Sequence, residues 1–280
     1  MLAPDYLQLK INSLTAKEIV MPRMVAETVL AHVCGVERKD VDIYGELNDD
    51  EIMRSENLIS RVLNGEPFEY VIGKLEFYGN QIMLSRAAHI PSPETELMLD
   101  FAIAQLKKRG IDKGVAIDVC SGTGCIGLGL KREMEGFDVY LSDIDSTCVE
   151  LAKDNANKLE LEVKVLQGDF LDPAKAIGVD LLFCNPPYIS EEEYFELDPS
   201  VKDYEPKLAL VAKDNGLFFY KRLANELSAC LNKGALAFIE IGYNQGSAVK
   251  TLFEKSDLEV ISLEKDLAGH DRFFFLQNPN

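Results

Sequence analysis

The chain is poor in the residues that build metal and disulfide chemistry. It has only three histidines (His32, His89 and His270), too dispersed to make a histidine-built metal site. None of its six cysteines (Cys34, Cys120, Cys125, Cys148, Cys184 and Cys230) forms a Cys-x-x-Cys pair, which argues against a disulfide framework and a structural zinc site alike. Long apolar runs are missing as well, so no membrane-spanning segment is predicted, and no basic-apolar-small secretion pattern follows Met1. Internal repeats and low-complexity segments are absent. Together these gaps predict a protein of the reducing cytoplasm.

Positive charge is scarce too. Lysine and arginine number 29 against 47 acids, a net charge of -18. Nucleic-acid binding normally relies on basic side chains that displace phosphate counterions, so this balance weighs against it. Either plain solubility or a basic protein partner accounts for the acidity. The remaining composition, 47% hydrophobic and 27% charged over 280 residues, is that of a globular protein of one large or two unequal domains.

Up to about Leu84 the pattern is mostly helical. Met24, Val25, Thr28, Val29, Ala31 and His32 fall at helical spacing before a stop at Gly35. Asn48 is placed to cap a second helix through Ile52, Leu58, Ile59 and Val62, closed by Gly65. Leu75–Tyr78 and Gln81–Leu84 flank Gly79-Asn80, a hairpin signal. Pro91 and Pro93 then punctuate a boundary, and a helix is predicted from Glu94 to about Arg109. From Val115 strands and helices alternate: strands at 115–119, 139–141, 163–166, 180–184 and 236–241, helices at 125–134, 147–159, 217–231 and 247–255. Segments 258–263 and 272–276 read as a closing strand pair, and Glu191-Glu192-Glu193 as a solvated loop. The expected fold is α/β, a mostly parallel Rossmann-like sheet with helices on both faces. The expected domains are a helical region 1–74, a β-hairpin linker 75–92 and a main domain 93–280.

Asn185-Pro186-Pro187-Tyr188 follows the apolar run Asp180–Cys184. Two prolines end a strand ladder, remove two backbone donors and leave carbonyl oxygens with little local competition. Asn185 adds a neutral acceptor and Tyr188 a flat wall. Such a loop suits gripping a planar –NH2 group by both hydrogens while its nitrogen stays uncovered.

Gly122-Thr123-Gly124-Cys125-Ile126-Gly127 matches G-x-G-x-x-G between a strand and a helix, with Asp143 one βαβ unit later. Asp118, just before the loop, speaks against a nicotinamide dinucleotide, because its carboxylate would face the pyrophosphate. The same carboxylate suits a ligand with an ammonium and no phosphates, such as S-adenosylmethionine. Asp143 can accept from a ribose diol, and Asp169-Phe170 offers an acceptor and an apolar face for adenine. Open sheets bind ligands beyond the carboxyl ends of their strands, where all these residues fall.

On these motifs the chain resembles class I S-adenosylmethionine-dependent methyltransferases, specifically the protein-(glutamine-N5) methyltransferases of peptide chain release factors. Residues 67–73 with Phe77-Tyr78-Gly79 resemble the end of that family's helical N-terminal domain, and Ile90–Glu96 its interdomain signature. Asp118–Gly124 is similar to the cofactor loop and Asn185–Tyr188 to the substrate loop. Tyr204-Glu205-Pro206, Asp214–Leu217 and Asp266–Arg272 match further family blocks. Adenine and cytosine amino-methylases share the -NPPY- tetrapeptide, whereas Pro93-Glu94-Thr95-Glu96 sets the chain apart from ribosomal-protein glutamine methylases.

The resemblance implies methylation of the Gly-Gly-Gln glutamine, with Asn185 and Pro186 catalytic and Pro187 and Tyr188 completing the substrate site. It also implies cofactor contacts from Asp118, Cys120, Ser121, Gly122, Thr123, Gly124, Asp143, Asp169, Phe170 and Asn185, and no metal. Phe77 and Thr95 would line the cofactor pocket, and the N-terminal domain would dock the release factor. Two departures stand out. Ser92 replaces a usual arginine, and Cys120 sits where glycine is common, a substitution expected to be tolerated at negative φ.

Overall fold

The computed structural model describes residues 1–279, which form two compact units. The first, Met1–Lys74 together with Pro199–Tyr204, is helical. It holds α1 (Ala3–Thr15), α2 (Pro22–Cys34), α3 (Asp49–Leu63) and α4 (Phe68–Ile72), around a core that includes Leu7, Leu14, Val29, Leu30 and Ile59. Asn48 caps α3 as its position predicts. Its Oδ1 accepts the Glu51 N–H at 2.9 Å and the Glu51 carboxylate accepts the Asn48 N–H at 2.9 Å, a reciprocal box that satisfies two otherwise orphaned donors.

The second unit comprises Leu75–Asp198 and the described residues from Glu205 onward. The chain runs through β1 (Lys74–Phe77), β2 (Asn80–Met83), α5 (Pro93–Arg109), β3 (Gly114–Val119), α6 (Cys125–Glu133), β4 (Phe137–Asp143), α7 (Ser146–Lys158), β5 (Lys164–Gln167) and β6 (Val179–Cys184). It continues through α8 (Glu191–Glu196), α9 (Pro199–Lys202, part of the helical unit), α10 (Lys207–Leu210), α11 (Phe218–Cys230), β7 (Leu231–Glu240), α12 (Gly246–Phe253), β8 (Glu259–Lys265) and β9 (Asp271–Gln277). Seven strands form one sheet in the order β5-β4-β3-β6-β7-β9-β8, in which β9 alone runs opposite to the others, antiparallel to both β7 and β8. This is the expected Rossmann-like architecture, with β1 and β2 a separate hairpin.

Two local readings are corrected. The hairpin turns at Tyr78 and Gly79, both at positive φ (47° and 69°), with Asn80 already in β2. A type I′ two-residue turn has both central residues in that region, and this puts it one residue earlier than the Gly79-Asn80 signal. Glu191–Glu193 is not a loop but the first turn of α8, where acids complement the helix dipole and Glu193 closes a capping box with Ser190.

Side chains alternate between the two sheet faces. On one face Phe183, Phe238 and Phe275 are register partners across β6, β7 and β9, and their rings stack at 5.5 Å and 4.7 Å. Phe101 of α5 meets this ladder edge-on, 6.3 Å from Phe238 and 6.1 Å from Phe275. Aromatic pairs of this kind add about 0.5–1.5 kcal/mol each beyond their buried area. They also seat α5, and with it the residues at its N-terminus, over the ends of β6 and β7. On the other face Ile117, Leu182 and Ile239 share a core with Tyr220, Leu223 and Leu227 of α11.

Asn48→Ala should lower the stability of the helical unit by about 1 kcal/mol, because it removes the α3 cap. A urea titration followed by far-UV circular dichroism would detect it, and an unmoved transition would mean that the box contributes nothing.

Candidate active site

Strand order reverses between β3 and β6: from β3 the chain steps outward to β4 and β5, and from β6 to β7 on the other side. Val119 pairs with Cys184 in register. Parallel neighbours lie about 4.8 Å apart, so the segments that follow, Cys120–Gly124 and Asn185–Tyr188, leave adjacent strand ends at a topological switch point. The two sequence motifs are thereby brought together.

The glycine-rich loop is tethered to the end of β4. The Ser121 N–H donates to the Ser142 carbonyl at 3.0 Å and the Gly122 N–H to Asp143 Oδ2 at 2.9 Å. Asp143 Oδ1 accepts the Asp145 N–H at 3.0 Å, and burial holds this carboxyl above the ordinary carboxylate range. Asn155, fully buried on α7, donates to the Thr123 carbonyl at 3.0 Å while bridging the Met83 backbone, so it locks the loop to β2. Cys120 departs from expectation, with φ at +58°. The chain must turn back there for Ser121 to reach Ser142, and the left-handed conformation costs a non-glycine residue about 1–2 kcal/mol.

Asp118 is 1% exposed. Its Oδ2 accepts the Gly127 N–H in the first turn of α6 at 3.1 Å, and a Cβ at Gly127 would lie 3.3 Å from the Asp118 Cβ. Burial raises the carboxyl to about 7, with the Gly127 hydrogen bond opposing and the Asp143 charge adding to the rise. The helix N-terminus that a pyrophosphate would need thus already faces a carboxylate. Asp118 Oδ1, Ser121 Oγ and Ser142 Oγ are buried without a hydrogen-bond partner among the described residues. Orphaned oxygens at these strand ends fit a ligand rich in ammonium and hydroxyl donors, as S-adenosylmethionine is. Farther out, Asp169 is half-exposed and pairs with Arg222 at 2.9 Å, while Phe170 is buried against Phe219 with that guanidinium over its ring.

The -NPPY- segment is fixed from behind. Asn185 Nδ2 donates to Thr95 Oγ1 at 3.2 Å, and among the described residues no donor meets its Oδ1 or the Pro186 carbonyl. The Tyr188 carbonyl accepts Gln245 Nε2 at 2.8 Å, and Ile189 exchanges backbone hydrogen bonds with Leu210 and Ala212. Gly216 closes against this carbonyl: at φ +79° an added Cβ would come within 2.1 Å of the Tyr188 oxygen. Burial raises the Tyr188 hydroxyl well above its usual range, so it stays protonated.

Two supporting residues, Glu240 and His89, carry no motif in the sequence. Glu240, at the end of β7 and 1% exposed, accepts the Thr95 hydroxyl at 2.7 Å. Burial raises it to about 7, with Thr95, His89 and Arg272 pulling it back. An acid inside the apolar run Phe238-Ile239-Glu240-Ile241 was the available signal. His89 bonds to Glu205, whose carboxylate also accepts the Ile90 N–H at 3.2 Å; that bond and charge hold the imidazole above its ordinary value although burial opposes it. Ser92, standing for the usual arginine, caps α5 by accepting the Thr95 N–H at 3.1 Å. Phe77 is buried and lies over Gly129 of α6.

Residues 95–197 match the family described as Methyltransferase small domain, and residues 5–73 the PrmC N-terminal domain. The chain is 35% identical over 265 residues to the release factor glutamine methyltransferase of Chlamydia trachomatis serovar L2, spanning 95% of this chain and 90% of the relative. It is 34% identical over 257 residues to the Bacillus subtilis protein of the same name, with 88% of each chain covered. Among solved structures, a methyltransferase from Pyrococcus furiosus superposes with a TM-score of 0.54 at 16% identity, over 80% of this chain and 99% of that one. At such identity the likeness speaks to the fold alone.

Gly216→Ala should cost on the order of 1–3 kcal/mol, because both the space and the backbone conformation are closed to a Cβ. Thermal unfolding would register this as a drop of several degrees, and an unchanged midpoint would show that the Tyr188 carbonyl can yield. The raised Asp118 carboxyl binds its proton more tightly folded than unfolded. Its contribution to stability is therefore present below the unfolded value and lost as pH rises through about 7. Asp118→Asn, which keeps the acceptor for Gly127, should gain on wild type by on the order of 2 kcal/mol between about pH 5 and pH 8. A pH-independent difference in unfolding free energy would contradict this.

Proposed function

The chain belongs to the release factor glutamine methyltransferase family, and from that membership we propose that it methylates the side-chain amide nitrogen, N5, of the Gly-Gly-Gln glutamine in peptide chain release factors, with S-adenosylmethionine as donor. The polarity of Asn185 carries the reading. Its N–H is committed to Thr95, which leaves Oδ1 and the neighbouring Pro186 carbonyl as two neutral acceptors beside the glycine-rich loop.

In this reading Cys120–Gly124 cradle the cofactor, Asp143 accepts from its ribose, the free oxygen of Asp118 faces its ammonium, and Asp169 with Phe170 borders its base. The bound cofactor supplies an activated methyl group. An amide nitrogen is a poor nucleophile because its lone pair is delocalised into the carbonyl. Asn185 Oδ1 accepts one N–H of the substrate carboxamide and the Pro186 carbonyl accepts the other, which fixes the plane of the group and turns its nitrogen toward the cofactor. Orientation of this kind is worth up to about 7–11 kcal/mol. Acceptors aimed at a nitrogen that gains positive charge add on the order of 3 kcal/mol each, by analogy with oxyanion-hole donors. No general base is needed before transfer, since the proton leaves readily from the charged nitrogen. Pro187 and Tyr188 wall the glutamine side chain, and the helical unit docks the release factor.

A protein partner suits a chain of net charge -18 better than a nucleic acid does. Six free thiols are in keeping with action in a reducing cytoplasm.

Incubation with labelled cofactor and purified release factor, followed by mass mapping, should place one methyl group on the Gly-Gly-Gln glutamine. Asn185→Ala should lower that rate about 10²–10³-fold, the effect of removing one preorganised group at a reacting centre. Label on RNA or DNA instead, or an undiminished rate in the variant, would overturn the assignment.

A further inference from the structure

A carboxamide is nearly the same shape in its two flipped orientations, so a loop that must present an oxygen needs something to choose between them. The residues behind Asn185 supply that choice. Thr95 has a single hydroxyl proton, and it is donated to Glu240 Oε2 at 2.7 Å. What Thr95 Oγ1 then offers its other neighbours is lone pairs alone. Ser92 Oγ, 3.0 Å away, serves as a donor to it, and Asn185 Nδ2 donates at 3.2 Å. A flipped Asn185 would set Oδ1 against those lone pairs and turn two N–H groups toward a substrate that itself presents N–H groups.

The chain of contacts is rigid along its length. Thr95 and Glu240 are both almost fully buried, and the Glu240 backbone carbonyl accepts the Tyr220 hydroxyl at 3.1 Å. Thr95 sits in the first turn of α5, fixed by the Ser92 cap and by Phe101 on the aromatic ladder. We propose that Glu240 and Thr95 are positioning residues for methyl transfer: the Glu240 carboxylate orients the Thr95 hydroxyl, and that hydroxyl holds Asn185 with Oδ1 turned toward the substrate carboxamide. The proposal rests on the glutamine-methylation reading above and adds a residue, Glu240, that touches neither substrate nor cofactor.

Glu240→Gln is the direct test, since it removes the charge that fixes the Thr95 proton and lets a carboxamide N–H compete for Thr95 Oγ1. Thr95→Val removes the hydroxyl at constant shape, and Thr95→Ser restores it. Each variant is measured for kcat on release factor, for cofactor affinity by calorimetry, and for the side-chain amide 1H–15N signals of Asn185. Glu240→Gln and Thr95→Val should lower kcat about 10²-fold, the size of one lost preorganised group, with the Asn185 signals moved in both and cofactor affinity nearly unchanged in Glu240→Gln. Thr95→Ser should stay within about threefold of wild type with its Asn185 signals in place. Should Glu240→Gln fail to fold, the valine and serine variants at Thr95 decide the matter. Wild-type kcat in Thr95→Val and in any folded Glu240→Gln, or Asn185 signals that do not move, would overturn the relay. Absence of transfer by the wild-type chain would instead overturn the substrate reading, and the Asn185 signals would still judge the relay.

Discussion

The parallel pairing of β3 with β6 is the constraint on which the site depends. In a doubly wound sheet the chain leaves the centre in two directions, and the two central strands are the ones whose following loops do not cross over each other. Here those strands end in register at Val119 and Cys184, so a glycine-rich turn and an amide-bearing proline turn emerge side by side. Neither loop is positioned by its own sequence alone. The first is held by the end of β4 and by Asn155, the second by Gln245, by the Ile189 bridge and by the space left at Gly216. The strand pair sets the neighbourhood, and these bonds set the aim.

The sheet, its helices and both loops were legible because each rests on local signals. Buried parallel strands read as apolar runs, helices show their caps, and prolines and glycines mark where strands stop. Asn48, Gly35 and the 180–184 strand all fall where their residue types place them. What stayed hidden was decided by tertiary contact. The positive φ of Cys120 follows from the reach of Ser121 to Ser142, which no property of a cysteine announces. Glu191–Glu193 reads as a loop until Ser190 is seen to cap it. Glu240 stands 145 residues from Thr95, so the bond between them leaves no trace in spacing.

Two buried carboxylates stand on one face of the sheet at its carboxyl edge, Asp118 on β3 and Glu240 on β7. Neither is in direct ion-pair contact with a basic side chain among the described residues. Asp118 leans on a backbone N–H and Glu240 on a hydroxyl. A buried acid supported only by neutral donors carries a desolvation cost, and its pKa rises until part of that cost is relieved by protonation. Such sites are kept where an anion or a fixed acceptor does something that a neutral residue cannot.

That reasoning moves the argument about charge from the whole chain to the crevice. A net charge of -18 describes the average surface and does not by itself say what a loop will bind. At the end of β3, however, an anionic group meets the first turn of α6, the one place in such a fold where phosphate is ordinarily welcome. The dipole that would attract an anion is already answered from within. What a buried carboxylate favours instead is positive charge. In the proposed mechanism, neutral oxygens at Asn185 and Pro186 extend the same preference without adding a base that could be protonated in competition. On the proposed reading, that field suits transfer of a methyl group from a cationic donor to an uncharged nitrogen.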